Sequence, residues 1–396
     1  MSTSTTTTPA RPTRTDLPRP LPLPRSALRR ALPALGLFAA ARLTGILLLS
    51  AAAWRLDRNP LAILGTSWDS RWYTGIAAHG YGRSLAFEDG VIQSDLAFFP
   101  LYPALIRLAS AVLPTGPTGA ALLVSWVAAA AAAVAVYLIG ERLHGRRAAT
   151  LLVLLWGLLP HSVVLTMAYT EPVLTALSAW SLYAVLGRHW LWAGALASLA
   201  GLSRPNGIAV AAAVVVAAAY EIWRGDRQGR AAPAVWLAAA LAPAGWGGYV
   251  LGVGVLRGDP LGGYFAVQAG WTSRFDLGLG SLRFVKHLLR DPDQLSFAMV
   301  LVIVAVALLL FALFVLDRPP LPLLVYTAVL LLITVGGSGF FESKARFLLP
   351  AFPLLLPPAA AMAKTRPGAA VLVTVALAGL SFSYGTYLLT IAPTPL

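Results

Sequence analysis

The chain has 396 residues, of which 58% are hydrophobic and only 12% are charged. Soluble domains carry about 25% charged residues, so this composition excludes a chain built from two or three soluble domains. The net charge of +14 would indicate nucleic-acid binding in a soluble chain, but Lys and Arg also collect in the cytoplasmic loops of membrane proteins. With no cysteine, the sequence excludes disulfides, thiolate metal sites and cysteine nucleophiles.

Residues 1–30 are rich in Ser, Thr, Pro and Arg and have little apolar surface to bury. We therefore predict a disordered cytoplasmic tail there, followed by a transmembrane domain over residues 31–396 whose first span is a retained anchor. Near the middle of that span, Arg42 is a costly intramembrane charge that needs a partner. Glu221 and a lipid phosphate are both candidates for that partner, and the sequence leaves the choice open.

Long apolar segments recur along the rest of the chain. Residues 119–140 and 371–389 contain no charge over about 20 residues, the length that a helix needs to cross a bilayer. We predict an all-α polytopic membrane protein with about eleven spans. The predicted spans are 31–54, 118–139, 148–166, 170–186, 190–202, 206–223, 232–253, 297–316, 321–336, 347–362 and 369–391. The fifth is short, so it is either a broken helix or part of a kinked unit with the sixth.

The distribution of Lys and Arg predicts which face of the membrane each loop occupies. If residues 98–113 lie along the membrane surface, the predicted cytoplasmic segments hold 16 basic residues in 59, against 13 in 127 on the opposite side. This enrichment follows the positive-inside rule. Treating 98–113 as a span would instead place the basic loops 140–147 and 224–230 outside. We therefore predict a juxtamembrane helix at 98–113, in the first of two large outer loops, 55–117 and 254–296.

The first outer loop carries the side chains best suited to chemistry. Asp69 lies in an aromatic run with Trp68, Trp72 and Tyr73. A desolvated carboxylate beside indole rings can act as a general base, and aromatic faces pack on the C–H faces of sugars. In the alternative interpretation, Trp and Tyr form an interfacial belt while Asp69 pairs with Arg71 or caps a helix. Composition alone leaves both interpretations open.

Several segments of the chain resemble the PIG-V family, the mannosyltransferases that add the second mannose to glycosylphosphatidylinositol precursors. The segments that carry the resemblance, in the family's order, are Trp68–Tyr81, Phe98–Pro103, Ser203–Gly207, Phe265–Trp271 and Arg346–Pro350. They cover most of residues 31–365. The resemblance implies a GT-C fold, a bundle of transmembrane helices whose first outer loop forms surface helices and carries the catalytic carboxylate. It also implies a polyprenyl-phosphate sugar as the donor.

Asp69 is the base that an inverting transfer from such a donor requires. The leaving group is a phosphodiester that becomes a phosphate monoester, so the reaction needs no general acid but does need cations to stabilise the growing charge. Arg346, Lys344 and Arg204 are the candidates, and the alternative for each is a basic side chain that reaches the membrane interface. The expected substrate-binding residues are Trp68, Trp72, Tyr73, Asn206, Gln268 and Trp271.

Other polar residues have simpler explanations. Glu171 begins a predicted span and is followed by Pro172, so we expect it to cap that helix. Gln268 and Trp271 either contact a sugar or pack the second outer loop. The five His residues are scattered and show no spacing typical of a metal site, so we predict no metal and no cofactor.

The sequence thus predicts a glycosyltransferase of the cell membrane, with its active site on the extracytoplasmic side. It would move mannose from a polyprenyl-phosphate carrier to a glycolipid or glycan acceptor, with membrane lipids but no nucleic acid as further partners. The alternative is a transporter or lipid flippase without transferase activity, but transporters commonly show paired repeats and mid-membrane polar residues. No repeat is visible here. A membrane scaffold without chemistry would leave the outer placement of Asp69, Arg204 and Arg346 unexplained.

Overall fold

The computed structural model describes residues 24–87, 91–226, 232–290 and 295–392. Within these ranges, six helices are long and apolar enough to cross a membrane, or seven if one bent pair is a single span. The bent pair is Phe341–Phe347 with Phe352–Lys364, at 71° to each other. The prediction of an all-α polytopic membrane protein is confirmed. The count of about eleven spans stays a prediction, because several helices are shorter than a bilayer crossing.

The α-helices are numbered in chain order. They are α1 Pro24–Arg55, α2 Pro60–Thr66, α3 Asp69–His79, α4 Leu101–Val112, α5 Gly116–Gly157, α6 Glu171–Leu186, α7 Trp190–Gly201, α8 Ile208–Asp226, α9 Pro233–Leu241, α10 Ala244–Leu256, α11 Gly263–Gly270, α12 Leu279–Leu288, α13 Leu295–Leu316, α14 Leu321–Gly336, α15 Lys344–Phe347, α16 Leu356–Lys364 and α17 Pro367–Thr390. The strands are β1 Ser84–Ala86, β2 Ile92–Ser94, β3 Arg274–Phe275 and β4 Gly337–Ser338.

Helix α5 contains the predicted span 118–139 and the first half of the predicted span 148–166, which is shorter than predicted because the helix ends at Gly157. They are separate helices, because Gly145 has a non-helical backbone with φ of +81°. Glycine adopts this left-handed conformation readily because it has no Cβ. The two halves pack against each other beyond this break, and a Cβ on Gly140 would lie 3.0 Å from the Cα of Ala149.

Small residues let the helices of the bundle approach closely. Ala129, Ala132 and Ala133 of α5 are buried among its neighbours. In α7, a Cβ on Gly194 would lie 2.9 Å from the Cα of Ala238 in α9. Helices in lipid gain no hydrophobic driving force from association, so close van der Waals packing of this kind stabilises the bundle.

The two loops predicted to lie outside, 55–117 and 254–296, fold against each other, and the name outer loops refers to that prediction. The first contains α2, α3, the antiparallel hairpin of β1 and β2, and α4, which is the helix predicted at 98–113. The second contains α11, β3 and α12, and β3 pairs with β4 just after α14. A hydrogen bond joins the two loops: the Trp271 indole N–H donates to the backbone oxygen of Ser94 over 2.9 Å. This arrangement encloses a space between the loops and the helix ends.

The predicted tail needs a shorter boundary. Residues 1–23 lie outside the described residues, but α1 already begins at Pro24, so residues 24–30 are helical rather than part of the tail. The ion pair of Arg30 with Glu141, at 3.0 Å, fixes this first part of α1 against α5. Apolar content alone did not predict this early start of α1, because an ion pair fixes the segment.

Glu221, one of the two candidates left open for Arg42, is not its partner. The Arg42 guanidinium donates to the backbone oxygen of Ser162 over 2.6 Å and also to that of Gly157. Gly157 is the last residue of α5, where carbonyl groups lack helical partners. Glu221 pairs instead with Arg188. Arg42 therefore provides hydrogen-bond donors for backbone carbonyl groups at and just after the end of α5, inside the bundle.

Candidate active site

An open cavity of about 1270 Å³ lies between the two outer loops and the neighbouring ends of the bundle helices. The lining includes every residue that the sequence predicted for the site: Trp68, Asp69, Trp72, Tyr73, Arg204, Asn206, Gln268, Trp271, Lys344 and Arg346. These residues come from four separate parts of the chain. The structure therefore brings the predicted set together, while the role of each residue stays a prediction.

Asp69 is the first residue of α3. The N-terminus of a helix favours a negative charge, because its first backbone N–H groups have no helical partners. Trp68, immediately before it, has φ of +46°, a conformation that a bulky side chain rarely adopts. The Asp69 side chain is 20% exposed, so it reaches the cavity. It is thus a partly desolvated carboxylate held by a strained turn.

Arg346 is the direct partner of Asp69. Its Nη1 donates to Asp69 Oδ2 over 2.6 Å, and the same nitrogen lies 3.9 Å from Glu171 Oε1. The guanidinium also lies over the Tyr169 ring, 5.1 Å from its centroid. The alternative in which Asp69 pairs with Arg71 is wrong, because the Arg71 Nε donates to the backbone oxygen of Thr66 instead. Arg346 is buried, so it is not a side chain that merely reaches the interface.

Glu171 and Arg204 form a second ion pair beside the first. Glu171 is only 1% exposed and contacts the Arg204 guanidinium. Arg204 also donates to the Thr170 hydroxyl over 3.1 Å. Buried charges are costly unless they are paired, and here two acids and two arginines alternate along one chain of contacts. Glu171, which we expected only to cap α6, therefore holds the cations of the site in place.

Lys344 faces the same cavity, and hydrogen bonds to backbone oxygens hold its side chain in place. Its ammonium donates to the oxygens of Thr334 and Gly337, both over 2.6 Å. An ammonium has three donors, so one remains for a ligand. The residues that hold Lys344 belong to the end of α14 and to β4, which fixes the position of its charge.

Aromatic side chains form one wall of the cavity. Trp72 stacks on Phe98 at a centroid distance of 5.6 Å and meets the edge of Trp271 at 5.0 Å. Tyr73 is buried beside them, and its hydroxyl lies 3.4 Å from that of Thr170. Burial raises the pKa of Tyr73 well above its ordinary value, so this side chain stays a neutral phenol. The wall is formed by the faces and edges of these rings.

Gln268 and Trp271 both line the cavity, but they also pack the loops. Gln268 Nε2 donates to the Tyr264 hydroxyl over 2.7 Å and to the backbone oxygen of Ala97 over 3.2 Å. The Trp271 indole N–H already donates to the backbone oxygen of Ser94. Trp271 can therefore offer a ligand its ring, but not its N–H. Asn206 lies in a buried turn and also lines the cavity.

Sequence reasoning missed four cavity arginines, Arg58, Arg71, Arg83 and Arg274. For Arg71, Arg83 and Arg274 the signal was a basic residue within or next to an aromatic run in the outer loops, whereas Arg58 had no such signal. The pairing of Glu171 with Arg204 was also missed, although both lie at predicted outer ends of spans. Within the described ranges, no three His, Asp or Glu side chains are grouped so as to hold a metal ion.

A protein family matches part of the sequence, and solved structures match most of the fold. Residues 99–244 match the family model of dolichyl-phosphate-mannose-protein mannosyltransferases, which is less than half of the chain. No curated protein sequence matches significantly.

Solved structures of membrane glycosyltransferases share the architecture. The Archaeoglobus fulgidus oligosaccharyltransferase in its apo form superposes with a TM-score of 0.55 at 14% identity, over 92% of this chain and 56% of the other. ArnT from Cupriavidus metallidurans, bound to undecaprenyl phosphate, gives a TM-score of 0.51 at 15% identity, over 87% of this chain and 63% of the other. The fold is that of the GT-C glycosyltransferases.

The same archaeal enzyme, AglB, in complex with an inhibitory peptide and a dolichol-phosphate, gives a TM-score of 0.52 at 12% identity over 92% of this chain. This chain spans little more than half the length of the oligosaccharyltransferase, 56% in both superpositions. At these identities, the likeness shows the fold of the chain alone.

Proposed function

We propose that this chain is a GT-C glycosyltransferase that moves mannose from a polyprenyl-phosphate carrier to a glycolipid or glycan acceptor at the extracytoplasmic face of the membrane. The observation that carries the proposal is the contact of Asp69 with Arg346 inside the outer cavity, at 2.6 Å. It puts a candidate base and a candidate phosphate-binding cation side by side. Such a pair suits a reaction in which a proton and a phosphate must both be accommodated near one carbon atom.

The chemistry follows from these positions. The acceptor hydroxyl gives its proton to Asp69 and attacks C1 of the sugar, the bond from C1 to the phosphate oxygen breaks, and polyprenyl phosphate leaves with the electron pair. Asp69 Oδ2 is held by Arg346, and Oδ1 has no partner among the described residues, so it can accept the acceptor proton. Because attack comes from the face opposite the phosphate, the transfer inverts the anomeric configuration.

The leaving phosphate gains negative charge as the bond breaks. Fixed cations stabilise that charge without having to reorganise. Arg346 can share its guanidinium donors between Asp69 and the phosphate, since a guanidinium has five N–H groups. Arg204 and Lys344 line the same cavity and complete the set. The aromatic wall of Trp72 and Trp271 would then hold the sugar rings.

The identity of donor and sugar is supported by likeness. One neighbour in fold is a complex with undecaprenyl phosphate and another with a dolichol-phosphate, which favours a polyprenyl-phosphate donor. The matching family model describes mannosyltransferases, and the motifs of the first outer loop resemble those of the PIG-V family, which favours mannose. We propose a PIG-V-like mannosyltransferase on this basis.

The direct test supplies purified protein with radiolabelled polyprenyl-phosphate mannose and a membrane lipid extract. We expect a new labelled product that depends on the protein. If no labelled product forms, the transferase proposal is contradicted, and movement of the labelled carrier across vesicle membranes would then show a transporter.

A further inference from the structure

Phe347 is the last residue of α15 and lines the active-site cavity beside two of the candidate phosphate-binding cations. The guanidinium carbon of Arg204 and that of Arg346 both lie over its ring, each 5.2 Å from the centroid. A cation at this distance is attracted by the negative face of an aromatic ring. One ring therefore contacts cations from two separate parts of the chain.

The two arginines also share one carboxylate oxygen. The Nη1 atom of Arg204 contacts Glu171 Oε1 directly, and that of Arg346 lies 3.9 Å from the same oxygen. Two positive charges that converge on one oxygen repel each other, and the repulsion is strong in a buried site. Glu171 and Phe347 are thus two groups that both arginines contact. Together they fix the spacing of the two cations.

An aromatic ring differs from a carboxylate in the hydrogen-bond donors that it leaves free. A ring attracts a guanidinium without accepting a hydrogen bond in its plane. Among the described residues, every hydrogen bond and ion pair of Arg204 and Arg346 uses Nη1. Within that part of the chain, the buried Nε of Arg346 has no hydrogen-bond partner. Since a guanidinium has five N–H donors, both arginines keep donors for a further anion.

Apolar packing is the alternative role for Phe347, which is half-buried. Packing alone would not require an aromatic ring at this position. An aliphatic side chain next to two buried guanidinium groups would only remove water from them, which is costly for a charge. The face of an aromatic ring removes water and attracts the charges as well. The two interpretations therefore differ in whether the electron density of the ring matters.

We propose that Phe347 is a positioning residue of the donor site. Its ring holds the guanidinium groups of Arg204 and Arg346 at one spacing, so that a single phosphate group contacts the free N–H donors of both. This inference rests on the proposed function, since the phosphate is that of the polyprenyl carrier. Phe347 acts through the two arginines, so its effect on phosphate binding should follow the electron density of its ring face.

Fluorinated phenylalanines at position 347 test the contact with little change of shape. Each added fluorine withdraws electron density from the ring face and weakens its attraction for a cation. The probe is polyprenyl phosphate without a sugar, and its Kd is measured on purified protein carrying one, two or three fluorines on the ring. We expect Kd to rise with each fluorine, by about tenfold in total, equivalent to about 1.4 kcal/mol and in the range of two such contacts.

The same fluorinated series at Phe284 is the matched control. This ring is also half-buried, but it contacts the rings of Phe297 and Phe341 and does not line the cavity. We expect the Kd of polyprenyl phosphate to stay constant across the control series.

The outcomes at position 347 separate the inference from the proposed function. If the wild-type protein binds polyprenyl phosphate and Kd stays constant across the series, the positioning role is overturned and the transferase proposal is unaffected. A rise seen with polyprenyl-phosphate mannose but not with polyprenyl phosphate would also overturn it, because the ring would then contact the sugar. A wild-type protein that does not bind polyprenyl phosphate would overturn the proposed function as well.

Conservative variants of Phe347 give a second, kinetic measurement. Phe347→Leu keeps an apolar side chain but removes the ring, so we expect the KM for the donor to rise about tenfold. Phe347→Tyr keeps the ring and should have a donor KM close to that of wild type. Thermal unfolding checks that both variants are folded. Equal donor KM values for the two variants would contradict the assignment.

Discussion

Arg346 donates to Asp69 over 2.6 Å, although 277 positions separate the two residues in the chain. The contact joins the first outer loop to the segment after α14, so it also closes the cavity on one side. In the proposed reaction it means that the phosphate-binding cation and the base are held by each other before substrate arrives. The donor phosphate then meets a guanidinium whose position is already fixed.

The geometry of Arg346 should matter beyond its charge. Arg346→Lys keeps one positive charge but loses the planar fork that can serve Asp69 and a phosphate together. We expect turnover to fall by a factor on the order of 10², in the range found when one donor is removed from an oxyanion site. Transfer rates at saturating donor measure this. Arg107→Lys is the matched control, and near-normal turnover in Arg346→Lys would show that the positive charge alone suffices and that the planar fork is not needed.

The buried pair of Glu171 and Arg204 should govern stability. Glu171→Gln leaves a buried guanidinium without its partner, which costs about 3 kcal/mol or more. Removing both charges in Glu171→Gln with Arg204→Met should restore part of that loss, since no unpaired charge remains. Thermal unfolding in detergent follows both variants. Glu221→Gln, in the exposed pair with Arg188, is the control and should cost at most about 1 kcal/mol. Equal melting of Glu171→Gln and wild type would contradict this account.

The distribution of basic residues predicts that the cavity faces outward. In whole cells, a cysteine at Ile92, which is 54% exposed in β2, should react with a membrane-impermeant thiol reagent. A cysteine at His144, exposed beside the turn of α5, should react only after the cells are opened. The native chain has no cysteine, so the signal is free of background. The reverse labelling pattern would place the site in the cytoplasm.

Close helix packing predicts a contrast between two Gly→Ala changes. In Gly194→Ala the new methyl group would lie 2.9 Å from the backbone of Ala238, so α7 and α9 must separate, at a cost of about 1–3 kcal/mol. In Gly248→Ala nothing lies within 4 Å of the new methyl group, and alanine favours the helix. Thermal unfolding should therefore rank Gly194→Ala below wild type and Gly248→Ala at or above it. If both variants melt alike, the packing of α7 on α9 is incorrect.

Much of this arrangement was open to prediction because it depends on local properties. Apolar length located the helices, and basic residues indicated the sides of the loops. The aromatic run around Asp69 identified the first outer loop as the one with candidate chemistry. Contacts that depend on how helices pack could not be predicted from the sequence. Arg42 finds its partners at the end of α5, and Glu171 meets Arg204 across two helices, so neither pairing has a signal in sequence spacing.

The central claim is that Asp69 takes the proton of the acceptor. Asp69→Asn keeps the shape of the side chain but removes the negative charge that the proton needs. The decisive measurement is the rate of mannose transfer by Asp69→Asn, taken together with its thermal stability and its affinity for polyprenyl-phosphate mannose. We expect a folded protein that binds donor and transfers no detectable sugar. A variant that transfers at nearly the wild-type rate would remove Asp69 from the mechanism and leave its contact with Arg346 as a structural ion pair.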